Sequence, residues 1–298
     1  MEGDGHDGGL EQAILASLDG LLGALVLQPS GADRFRVRVE PGRFDRIFGG
    51  QSIAQALLAA SATVAGKEPH SLHAYFVEAG LPDEPVDLAV EHVRDGRSFA
   101  TRRVNVTQGD RVLLVAIASF HANPDGPELS EPIPSVPPPD QLPTLQDWAL
   151  ALPAERREHG RVWVDHPPPL DIRMGEAPSF FTGASGDGPR SHWMRLPRAV
   201  GDDPLLHTAL LTYASDYLLL DMIFRSYPGG IPPNGFTGFS LDHALWFHRP
   251  VRFDQWHLHT QQTTAISADR GLAKGMLHDA DGHLVASVMQ EVLVRPRR

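Results

Sequence analysis

The chain repeats itself, and the repeat limits its fold more than any other feature. In the first half a helix candidate, FGGQSIAQALLAASATV, is followed by the strand candidates SLHAYFVEA, VDLAVEHVRDGRSFATRRVNVTQ and QGDRVLLVAIASF. In the second half HTALLTYASDYLLLDMIF (His207 to Phe224) is followed by FSLDHALWFHRP, QWHLHTQQTTAIS, RGLAKGMLHDADG and HLVASVMQEVLVR. SLHAY at Ser71 and SLDHA at Ser240 stand 169 residues apart. Asp95-Gly96, Gly109-Asp110 and Asp281-Gly282 mark the corners between strands. A repeat of this length predicts a duplicated domain rather than a solenoid.

The second helix candidate is apolar almost all round, so it must be covered on most sides. A curved antiparallel sheet covers it, and two such units can join edge to edge, which also protects their open strands. The expectation is an α+β chain of two repeats, each a central helix wrapped by an antiparallel sheet. There are too few helices between strands for a doubly wound fold. The first domain is expected over 1–121 and the second over 161–298. Between them lies 122–160, where HANPDGPELSEPIPSVPPPD reads as a proline-rich linker or an extended strap across a neighbour.

Composition narrows the functions. The 298 residues are 42% hydrophobic, enough for sizeable cores. A net charge of −11 argues against a nucleic-acid partner. With no Cys, disulfides, thiolate metal sites and a Cys nucleophile are excluded. The opening MEGDGHDGGLEQA lacks the pattern of a signal peptide. No apolar run is long enough for a membrane span. The expected location is the cytoplasm.

Asp216 stands among Ala, Tyr and Leu in TYASDYLLLDM. Two readings are open: it faces solvent at a gap in the sheet, or it is held at a cleft, where its burial needs partners. Asp221 is the rival acid. In FSLDHALWFHRP, strand alternation puts Ser240, Asp242, Ala244 and Trp246 on one face and Leu241, His243, Leu245 and Phe247 on the other. His243 is then a structural histidine, turned away from Ser240. Arg249 pairs with a carboxylate or holds a phosphate. Gln290 shares a face with Leu284, Ala286, Val288 and Val292, so it needs partners. It sits at a seam, or it positions a substrate or water. There is no G-x-S-x-G, H-E-x-x-H or G-x-G-x-x-G. His257 and His259 share a strand face without a convincing third metal ligand.

These motifs, YASDYLLLD, LDHALWFHRP and SVMQE, with FGGQSIAQAL, SLHAYFVEAG and RDGRSF in the first half, resemble the TesB-type acyl-CoA thioesterase family. Similar features run in order from about Phe44 to Glu291. The resemblance implies a double hotdog fold, an acyl-CoA substrate, no cofactor and no metal. It also implies a homodimer or higher homo-oligomer. It carries three catalytic positions over: Asp216, Ser240 (where many relatives have Thr) and Gln290. Together they are expected to hold a water for direct attack on a thioester. A covalent Ser240 is the internal rival. An acyl carrier protein thioester, a non-catalytic acyl-CoA scaffold and a hydratase are the other readings. Phosphate contacts are sought among Arg94, Arg97, Arg102 and Arg103, then Arg249 and Arg252, then Arg295, Arg297 and Arg298. Tyr217, Phe236, Phe239 and Trp246 are candidates for the acyl slot, and YPGGIPPNGFTG for its mouth.

Overall fold

The computed structural model describes residues 4–41, 45–122, 126–230 and 235–296. The first half holds α1 (Asp4–Ala24), β1 (Gln28–Gly31), β2 (Arg34–Val37), α2 (Gly49–Ser61), β3 (Glu68–Phe76), β4 (Val86–Asp95), β5 (Phe99–Gln108) and β6 (Arg111–His121). Next come α3 (Leu145–Leu150) and α4 (Arg157–Asp165). The second half holds β7 (Asp171–Met174), α5 (Ser179–Thr182), β8 (Arg190–Arg195), α6 (Pro204–Ser215), α7 (Leu219–Ser226), β9 (Phe236–Ser240), β10 (Asp242–Phe247), β11 (His257–Ser267), β12 (Arg270–Asp279) and β13 (Leu284–Pro296).

All strands join one antiparallel sheet, ordered β1-β2-β4-β5-β6-β3-β10-β13-β12-β11-β8-β7, with β9 also on β13. Read from its two ends, the order is the same path through corresponding strands. The halves meet where β3 pairs with β10, Ser71 opposite Trp246 and Tyr75 opposite Asp242. This is the α+β double hotdog architecture. Helices α2 and α6 pack on each other inside the curved sheet. Eleven consecutive residues of α2, Gly50 to Ala60, are buried, as an internal helix demands.

Two elements depart from the expectations. The helix read as continuous over 207–224 is broken. Helix α6 ends at Ser215, Leu218 takes a left-handed φ of 68°, and α7 starts at Leu219. A non-glycine residue there carries strain of about 1–3 kcal/mol, which its surroundings must hold. Gln261 does so in part, donating from Nε2 to the Tyr217 carbonyl at 2.7 Å. The second departure is α1, which the acidic opening did not announce. Its Leu18 and Leu21 are fully buried in the second-half core.

The proline-rich segment crosses the outer surface of the second-half sheet. Trp193 Nε1 donates to the Pro137 carbonyl at 2.9 Å, and His278 Nε2 lies 3.1 Å from the Glu131 carbonyl. Among the described residues no helix is long and apolar enough to cross a membrane.

Candidate active site

Asp216 sits at the break between α6 and α7, at the end of the helix rather than inside it. It is buried, and its carboxylate accepts from the Gly50 N–H and hydrogen-bonds Gln290. Gly50 lies in the first turn of α2, whose cap residue Phe48 contributes no side-chain hydrogen bond. The helix start thus offers its backbone donors and positive dipole end to an anion. The acid of the second half meets the helix start of the first.

Burial pushes the Asp216 carboxyl above the usual carboxylate range. His243, Gln290 and the Gly50 N–H pull the other way. Gln290 Nε2 donates to Ser240 Oγ at 2.6 Å. The structure therefore brings Asp216, Ser240 and Gln290 together.

His243 overturns its expected placement. It is fully buried, with Nδ1 2.6 Å from Gln290 Oε1 and 4.0 Å from Asp216 Oδ1. The cause is a β-bulge. Ser240 pairs with Val292 and Ala244 with Met289, so Leu241–His243 spans the stretch that Gln290–Glu291 spans on β13. One extra residue reverses the alternation. Ser240 and His243 therefore share the face of Gln290. The bulge is pinned by Leu241 N to the Glu291 carbonyl at 2.8 Å and by Glu291 N to Asp242 Oδ1 at 2.7 Å.

The other candidates are placed elsewhere. Asp221 accepts from Ser179 N, Phe180 N and Arg190 Nη1 at 2.7–2.9 Å, a buried structural node. The α6 histidine, His207, which was not among those candidates, is also structural, tied to the Gly201 carbonyl and to Phe253 N. Arg249 pairs with Glu128 of the strap. Arg102 is buried among Thr63, the Arg94 carbonyl and Asp95. Arg103 pairs with Glu91, Arg252 with Asp202 and Asp254, and Arg295 stands 3.9 Å from Asp269. Arg297 and Arg298 lie outside the described residues.

Tyr217 is buried, its ring 4.8 Å from that of Phe48. Trp246 packs instead on His73 across the seam of the halves. Phe239 is partly exposed under the Arg46 guanidinium. The Phe236 side chain and residues 231–234 of the expected mouth lie outside the described residues. His259 packs against His192, with ring centroids 5.1 Å apart. Burial, then His243, pushes its pKa down to about 3, so it is neutral.

Sequence reasoning missed Gly49 and Gly50, Ser215 and the part played by His243. The glycine pair at the head of an uncapped helix was the available signal for the first. The others depend on the bulge.

Comparison with known proteins agrees with the fold. Residues 165–293 match the family model for acyl-CoA thioesterase, and 39–121 match that for the acyl-CoA thioesterase N-terminal domain. Acyl-coenzyme A thioesterase 8 of Mus musculus is 32% identical over 98% of this chain and 93% of its own. Acyl-CoA thioesterase 2 of Haemophilus influenzae is 31% identical over 93% of this chain and 98% of its own. Among solved structures, a tesB protein of Mycobacterium avium subs paratuberculosis has a TM-score of 0.77 at 30% identity, covering 94% of this chain and 100% of its own. Acyl-CoA thioesterase II TesB2 of Mycobacterium marinum has a TM-score of 0.75 at 32% identity, covering 94% and 98%. A duplicated helix-and-sheet fold, both family models in order and full-length relatives at this identity all point one way: the chain belongs to the TesB-like acyl-CoA thioesterase family of double hotdog proteins.

Proposed function

We propose that this protein hydrolyses acyl-CoA thioesters to a free acid and CoA by direct attack of a water. The observation that carries this reading is the buried Asp216 carboxylate, set between the start of α2 and the Gln290–Ser240 pair. Asp216 takes a proton from the water as its oxygen bonds to the thioester carbon. Ser240 and Gln290 fix that water in line, a contribution of orientation. The first turn of α2 at Gly49 faces the developing oxyanion. When the carbon–sulfur bond breaks, the carboxylic acid of Asp216 returns its proton to the thiolate.

Ser240 as a covalent nucleophile is disfavoured, because its Oγ is hydrogen-bonded to an amide donor, Gln290 Nε2, rather than to a base. The buried His243 is occupied at both ring nitrogens, which disfavours a hydratase base. Thiol release from a panel of acyl-CoAs of graded chain length tests the reading. Turnover by the purified protein supports it. Binding without turnover across the panel sinks it and favours a scaffold.

Two predictions arise here. The working form of Asp216 is the anion, and its pKa is raised. Activity is therefore lost as the pH falls through that raised value. The acid limb of kcat/KM is expected above the ordinary Asp value of about 3.9. A pH–rate profile checks this, and a limb at or below the ordinary value counts against Asp216 as the base. The second concerns Gly49. A Cβ there would stand 2.8 Å from Asp216 Oδ2 and 3.0 Å from Phe76 Cζ. Gly49→Ala is expected to displace the carboxylate and lower kcat by about 10²-fold. Steady-state kinetics beside a melting curve check it, and unchanged kcat would show that the carboxylate has room to move.

A further inference from the structure

His243 touches two groups through its two ring nitrogens. Nδ1 lies 2.6 Å from Gln290 Oε1, and Nε2 lies 2.9 Å from Ser215 Oγ. Gln290 in turn has three neighbours: His243, Ser240 Oγ and the Asp216 carboxylate. A carboxylate ion only accepts hydrogen bonds, so the amide group facing Asp216 must be the NH2. Its two hydrogens serve Asp216 and Ser240. The amide oxygen is left for His243, and an amide oxygen also only accepts. His243 Nδ1 must therefore carry a hydrogen.

The rest of the ring follows. Burial lowers the pKa of His243, against the pull of Asp216 and Gln290, and this favours the neutral ring. A neutral ring protonated at Nδ1 presents Nε2 as an acceptor, so Ser215 must donate to it. The Ser215 hydroxyl has a second acceptor, the Thr212 carbonyl at 2.8 Å, one turn back on α6. Its one hydrogen serves one acceptor at a time. When that hydrogen points to Nε2, the donors run in one direction, from Ser215 to His243 to Gln290 and on to Ser240 and Asp216. The opposite amide rotamer would aim the Gln290 oxygen at the carboxylate, and the site would lose a donor and gain a repulsion.

We propose that His243 is a positioning residue: as the Nδ1–H tautomer, anchored at Nε2 by Ser215, it holds the Gln290 amide with its NH2 toward Asp216 and Ser240. Its bearing on rate rests on the water-activating site proposed above. Its tautomer does not.

The test therefore has two arms. Long-range proton–nitrogen correlation spectra of the 15N-labelled protein at neutral pH, with His243→Asn used to assign the signal, read the tautomer directly. A protonated Nδ1 with a bare Nε2 is expected. The Nε2–H tautomer, or an imidazolium, overturns the proposal whether or not the protein hydrolyses anything.

The second arm compares His243→Asn with His243→Gln. The Asn amide can keep a donor near the place of Nδ1, whereas the Gln amide reaches toward Ser215 and leaves the Gln290 oxygen without its donor. His243→Gln is expected to lower kcat by about 10²-fold with KM little changed, while His243→Asn stays within about threefold of wild type. Equal rates in the two variants overturn the positioning role, as does an equal loss in both. If the wild type and Asp216→Asn are equally inactive on all thioesters, the proposed reaction fails, and the tautomer measurement still decides on His243.

Discussion

Asp216→Asn is expected to lower kcat for acyl-CoA hydrolysis by about 10³-fold, with KM within about twofold of wild type. The substitution keeps the size of the side chain, so a loss reports chemistry rather than packing. The Asn oxygen still accepts from the Gly50 N–H that the carboxylate uses. Its NH2, however, meets the NH2 that Gln290 presents, and it offers no base to the water. Thiol release measured beside acyl-CoA binding separates the two effects. Near-total loss of turnover with binding retained is the expected result. Turnover unchanged by the substitution would move the base elsewhere.

The second large effect is on stability, at the acid that competed with Asp216 in the sequence. Asp221 accepts two backbone N–H bonds at the start of α5 and one bond from Arg190, and both charged side chains are buried. Asp221→Ala strands the Arg190 charge. A buried pair broken from one side costs about 3–5 kcal/mol, against near-neutrality when both partners are replaced by apolar groups of similar volume. Urea unfolding of Asp221→Ala is therefore expected to show a loss of that size. The double variant Asp221→Leu with Arg190→Met should recover much of it, less what the two backbone donors lose. A loss below about 1 kcal/mol in the single variant would mean that water reaches the pair. Kinetics of the folded fraction should stay close to wild type, which separates Asp221 from the site.

The two halves and their strands were legible because their signals are local. Alternation in FATRRVNVTQ and the Gly109-Asp110 corner are written into neighbouring residues, and β5 and β6 lie on them. The break at Asp216 was not legible. YASDYLLLDM contains neither Gly nor Pro, and the carbonyl it frees is taken by Gln261, more than forty residues on. The bulge was hidden for a similar reason. It is a property of the register between β10, β9 and β13, not of FSLDHALWF alone. Reading that stretch as a regular strand put His243 on the wrong face while leaving Ser240 and Gln290 in place. Helix α1 was missed because Leu18 and Leu21 gain their importance only from the core they enter.

The two central helices begin differently. Asp203 Oδ1 accepts from the Leu205 N–H at the head of α6, and Pro204 removes another donor, whereas α2 starts with two glycines and no side-chain cap. In a symmetric pair of identical subunits both helix heads would have to be alike. Fusion of the halves into one chain lifts that constraint. One head is sealed against anions and committed to stability, and the other is left open. Each chain should then carry a single turnover centre, and active-site titration should count one equivalent per polypeptide, although the scaffold was built twice.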